Sequence, residues 1–67
     1  MKGLVKEVPL KGVHWIEGGY ECEDRRILQF NNHWHLYRKI EDEYREIYRT
    51  ESSVQAWRFV REDVDPR

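Results

Sequence analysis

The chain has 67 residues, 37% of them charged, and a net charge of −1. That length fits one domain, and a chain so short buries only about 60% of the surface its unfolded form exposes. The balanced charge argues against a strongly basic nucleic-acid binder, and aromatics spread among charges of both signs argue against disorder.

Cys22 is the sole cysteine, so no internal disulfide stabilises the fold. Small domains without such cross-links rely on large side chains or on oligomerisation. Three Trp, four Tyr and two Phe supply the first route, and a homodimer is left open. Secreted domains of this size are usually cross-linked, the first ten residues hold no apolar run fit for a signal peptide, and no stretch nears the roughly 20 apolar residues of a membrane span. The expectation is a soluble cytoplasmic chain with no membrane association.

In chain order, residues 1–10 come first. Leu4, Val5 and Val8 could add an edge strand or arm there, and Pro9 is compatible with an edge. Residues 12–49 read as a four-stranded antiparallel β-meander. Its turn signals are Gly18-Gly19, a loop over Asn31–His33, and a loop over Glu41–Glu43. With a second strand running unbroken from Tyr20 to Phe30, Trp15 opposes Cys22, Phe30 opposes Trp34, Leu28 opposes Leu36, Leu36 opposes Tyr48 and Ile40 opposes Tyr44. That register gathers Val13, Trp15, Tyr20, Cys22, Leu28, Phe30, Trp34, Leu36, Ile40, Tyr44 and Tyr48 on one face. Residues 52–64 read as a helix. Ser52 and Gln55 have capping-box spacing, and Val54, Ala56, Trp57, Val60 and Val64 form an apolar stripe flanked by Phe59. The expected class is α+β, with the helix laid across the apolar sheet face.

The other sheet face then carries Ile27, Tyr37 and Ile47 as a central row. Arg25, Lys39 and Arg45 lie on one side of it, and Gln29, His35 and Arg49 on the other. Basic side chains around an aromatic platform suit nucleic acid, since Arg and Lys neutralise phosphates while Tyr37 can stack on a base. The plainer reading is a solvated or protein-binding face covered by long basic side chains.

A second cluster is acidic: Glu21, Glu23, Asp24, Glu41, Asp42 and Glu43. The same register sets Glu23 against Glu41, which is unfavourable unless the ladder frays, a hard cation binds or a basic partner docks there. Fraying is the simplest of these. His14, Cys22, His33 and His35 are the available zinc ligands, but Cys22 points away from the three histidines and the spacing fits no common zinc pattern. No metal or cofactor is therefore expected.

Catalysis has the least support. No Gly-rich phosphate loop is present, and Cys22 lacks a base on its own face. Small, charge-rich chains are often regulators or inhibitors of larger machines, phage-encoded ones included. The sequence is read as a non-catalytic binding module whose partner is another protein, with nucleic acid at the basic face around Tyr37 as the alternative.

Overall fold

The computed structural model describes residues 12–67. The edge strand or arm expected over residues 1–10 lies outside the described residues. Five strands are formed: β1 (His14–Ile16), β2 (Gly19–Cys22), β3 (Arg25–Phe30), β4 (His33–Ile40) and β5 (Glu43–Thr50). The helix α1 (Ser53–Glu62) follows. The strands build one antiparallel sheet in the order β1-β2-β3-β4-β5. The chain is α+β, with five strands in the described sheet where the sequence reading placed four.

The extra strand arises because the stretch expected to run from Tyr20 to Phe30 turns back at Glu23-Asp24, so that Cys22 pairs with Arg25. Glu23 adopts a left-handed φ of 56° there. Glu23, which takes the left-handed position, is not a turn-favouring residue, and Asp24 alone is a weaker signal than a Gly or Asn pair, which hides this hairpin from the sequence.

All four turns are two residues long. Asn31 and Asn32 have φ of 54° and 63°, and Glu41 and Asp42 have φ of 54° and 67°. Two successive left-handed residues mark the type I′ hairpin turn, whose twist matches that of the strands it joins. The first turn is Glu17-Gly18, with Ile16 paired to Gly19 and Trp15 to Tyr20, rather than Gly18-Gly19.

Turns one residue shorter than expected move the register by one, and in a strand that exchanges the two faces. Phe30 lies opposite His33, Leu28 opposite His35 and Ile27 opposite Leu36, in place of the expected Phe30–Trp34 and Leu28–Leu36 pairs. Between β4 and β5 the expected Leu36–Tyr48 pair does form. A bulge then leaves Ile47 unpaired between Tyr48 and Glu46, and Ile40 meets Glu43 instead of Tyr44. Ile27 and Ile47, expected on the second face, therefore face the helix, whereas Leu28, Phe30 and Tyr44 face away from it.

The core contains Cys22, Ile27, Leu36, Ala56, Phe59 and Val60, with Val13, Tyr20, Trp34, Ile47, Tyr48 and Trp57 packed around it. Phe59, Ile27, Leu36 and Val60 are the largest fully buried side chains. Burying each contributes roughly 1.5–3 kcal/mol, so these four residues matter greatly to a domain this small. Val54 and Val64, expected in the helical stripe, are exposed. Val54 lies in the first turn, away from the sheet. Val64 lies past the helix end, where Asp63 turns left-handed with φ of 58°.

The Ser52 hydroxyl caps the helix by accepting from the Gln55 N–H at 3.1 Å. The return half of the capping box is absent. The Gln55 side-chain amide donates to the Pro66 carbonyl at 2.7 Å, and the Ser52 N–H is taken by the Thr50 hydroxyl at 3.0 Å.

Gly18 sits at a left-handed φ of 87° in the first turn, whereas its neighbour Gly19 is required for lack of space. A Cβ on Gly19 would stand 1.8 Å from the Ile27 carbonyl oxygen, a backbone atom that cannot swing aside. Gly19→Ala is expected to lower stability by about 1–3 kcal/mol or more, seen as a lower urea midpoint at unchanged slope. A loss within the ±0.5 kcal/mol typical of surface substitutions would contradict the close approach.

Candidate docking surfaces

The register divides the residues expected to form one basic face. His35, Tyr37, Lys39 and Arg49 do share the face turned away from the helix. Arg25, Gln29 and Arg45 belong to the helix side, opposite Cys22, Trp34 and Arg38 respectively. Arg25 is buried rather than available to a partner. Two nitrogens of its guanidinium, Nε and Nη2, donate to the Val60 carbonyl, at 3.3 and 3.2 Å. Arg45 is exposed and pairs with Glu43 at 3.2 Å.

On the open face most charges are already paired. Arg26 holds the Glu21 carboxylate at 2.9 Å and lies 3.9 Å over the Tyr44 ring. Arg49 holds Glu46 at 2.9 Å. The buried His35 stacks on Phe30 with centroids 3.7 Å apart, its Nδ1 3.2 Å from Glu46 and its Nε2 3.2 Å from the Phe30 carbonyl. Burial alone would raise the Glu46 carboxyl, but hydrogen bonds and charge from Arg49 and His35 outweigh it and hold that carboxyl below its usual range. Burial, with Glu46 nearby, pushes the Tyr37 phenol up.

The acidic residues are likewise dispersed among cations. Glu23 and Asp24 form the β2–β3 turn and each lies 3.5 Å from Arg25. Glu41 and Asp42 form the β4–β5 turn. The expected opposition of Glu23 and Glu41 does not occur, because the Glu23-Asp24 turn ends the strand first. Tyr44 instead donates its hydroxyl to the Glu23 carbonyl at 3.3 Å. Among the described residues no group of three or more His, Cys, Asp or Glu side chains is arranged to hold a metal ion. Cys22 is buried on the helix side, and His14, His33 and His35 lie on the other face.

A feature not foreseen from the sequence lies where the helix, β1 and β2 meet. A groove of about 430 Å³ is lined by Trp15, Gly18, Gly19, Tyr20, Gln29, Trp34 and Trp57. All three tryptophans of the chain meet there. The pairings explain the convergence: Trp15 opposes Tyr20, and Gln29 opposes Trp34. The Gln29 N–H donates to the Gly18 carbonyl at 2.9 Å, which brings the β1–β2 turn alongside Gln29. Gly18 and Gly19 line the groove without side chains of their own. Trp57 closes one side, its ring 4.6 Å from that of Tyr20 and tilted by 45°. Trp15 remains 74% exposed, which is unusual for so large an apolar side chain.

A second hollow, of about 530 Å³, separates α1 from residues 64–67 and is lined by Ser52, Val54, Gln55, Arg58, Val64, Asp65, Pro66 and Arg67. Its mixed, charged lining lacks the aromatic convergence of the first. No helix among the described residues is long and apolar enough to cross a membrane. No known protein family, curated protein or solved structure matches the chain.

Three carboxyls, Glu46, Asp63 and Asp65, are held below the ordinary carboxylate range, the exposed Asp65 by hydrogen bonds from Arg67. Asp63 is held below the ordinary carboxylate range chiefly by its hydrogen bond from Arg38, and Glu46 by Arg49 and His35 against the effect of burial. A carboxylate depressed in the folded state contributes stability above its unfolded value and loses it as pH falls through the folded one. The thermal midpoint is therefore expected to hold steady down to the ordinary carboxylate range, about pH 4, and to fall below it. Asp63→Asn should lower the neutral-pH midpoint and flatten the acid limb. An acid limb identical to that of the unsubstituted chain would contradict this assignment.

Proposed function

We propose that the protein is a non-catalytic, cytoplasmic interaction module of regulatory or inhibitor type, which docks a segment of a partner protein in the tryptophan groove. The observation that carries this reading is the meeting of Trp15, Trp34 and Trp57 at one surface groove, with Trp15 left exposed. Trp and Tyr dominate binding energetics because they offer large rigid contact area at low entropic cost. A fold with so small a core gains stability from burying its aromatics, so leaving one so exposed is a cost that binding would offset.

The groove lining contains no His, Cys or carboxylate, and so no group suited to acid–base or nucleophilic work. Nucleic acid on the basic face is the weaker alternative. Arg25 and Arg45 leave that face, Arg26 and Arg49 are held by Glu21 and Glu46, and Lys39 is the fixed cation there without an ion pair among the described residues.

Affinity capture from cell lysate, with and without nuclease, separates the two surfaces. The unsubstituted protein and a Lys39→Glu/Arg49→Glu variant are expected to retain the same nuclease-resistant protein, and Trp15→Ala to lose it. Capture that nuclease or the charge reversal abolishes while Trp15→Ala leaves it intact would overturn the reading, as would no specific capture.

A further inference from the structure

The groove lining is rich in hydrogen-bond donors and carries no charge. An indole has an N–H donor and no acceptor, the Gln29 amide has two N–H donors beside one carbonyl acceptor, and the Tyr20 hydroxyl both donates and accepts, so donors outnumber acceptors. Among the described residues, no intramolecular hydrogen bond engages the side chains of Trp15, Tyr20, Gln29, Trp34 or Trp57. The site thus combines flat aromatic walls with donors that have no partner among the described residues.

We infer that the occupant is an extended, proline-containing segment of a partner protein in the polyproline II conformation, an assignment that rests on the docking reading above. Such a helix makes no internal hydrogen bonds, so its carbonyls stand free as acceptors, and each proline lacks the N–H that would need an acceptor in return. Acceptors on the ligand therefore meet donors on the groove. Proline rings pack flat on indole and phenol faces, and the prefixed backbone keeps the ordering cost of binding low. A charged ligand would find no counter-charge in the lining. Strand addition is the competing mode for an extended peptide, but β1, the edge strand among the described residues, is three residues long and offers few ladder bonds.

The test titrates the protein, by calorimetry and tryptophan fluorescence, with a capped proline decamer and with a capped proline-free decamer of alternating Val and Ser. The proline peptide is expected to bind saturably with Kd below about 1 mM. Trp15→Ala should weaken it at least about ten-fold with unchanged circular dichroism, and Trp15→Tyr should retain most of it. Binding of the Val-Ser peptide equally well, or alone, would overturn the polyproline assignment and leave peptide docking standing. Proline binding untouched by Trp15→Ala would overturn the site. No response to either peptide overturns the polyproline assignment. The docking reading then stands or falls on whether a nuclease-resistant protein is captured through Trp15.

Discussion

The buried guanidinium of Arg25 is the interaction on which the arrangement of sheet and helix depends. Its side chain is 6% exposed, and its Nη1 lies 3.5 Å from Glu23, 3.5 Å from Asp24 and 3.6 Å from Asp63. Its other nitrogens donate to the carbonyl of Val60, in the last turn of α1, where helix carbonyls lack partners and carry partial negative charge. Arg38 stands directly opposite on β4, and two like charges side by side would be unfavourable. Asp24 and Asp63 resolve this by bridging both, with Arg38 3.4 Å from Asp24 and 2.6 Å from Asp63. A buried charge is costly unless paired, so this network favours the one arrangement that supplies all its partners. It pins the C-terminal end of α1 to the β2–β3 turn.

With that end fixed, the apolar contacts place the rest. Phe59 and Val60 fill the space over Ile27 and Leu36, and Arg38 lies 5.4 Å over the Phe59 ring. Trp57 is then carried to the margin of the sheet, against Tyr20. The groove is a consequence of this geometry: the helix is short, and the sheet extends past it toward β1. The same residues that complete a small core thus leave an aromatic surface at its edge. Cores of this size offer few rigid places to build a binding site, and a seam between two packed layers is one of them.

The helix was legible in the sequence because its cap and its 3.6-residue period are local. Ser52 and the buried positions Ala56 and Val60 follow directly from that pattern. The antiparallel meander was also legible, from alternating apolar and charged residues. Faces were not, because they turn on single-residue differences in loop length. The turn at Glu23-Asp24, where Glu23 is left-handed, was not announced as a Gly or Asn pair would have been, and the left-handed pair Glu41-Asp42 made its turn one residue shorter than expected. Each missed residue exchanged faces downstream, which moved Ile27 inward, sent Phe30 and Tyr44 outward and divided the expected basic face. Arg25 illustrates the limit well. On an alternating pattern it reads as solvent-facing, and only the tertiary meeting of the turn and the helix end explains why an arginine is buried there. The tryptophan groove was hidden for a related reason: Trp15, Trp34 and Trp57 were rightly set on the apolar side, but nothing local shows that the helix stops short of covering them.

The account rests on one register and on the groove that follows from it, and nuclear Overhauser contacts in solution test both at once. The account predicts cross-strand contacts between Gln29 and Trp34 and between Ile27 and Leu36, together with contacts from the Tyr20 ring to the Trp57 indole. Cross-strand contacts between Phe30 and Trp34 and between Leu28 and Leu36, with none from Tyr20 to Trp57, would put Phe30 rather than Gln29 beside Trp34, remove the Tyr20–Trp57 wall of the groove and contradict this register.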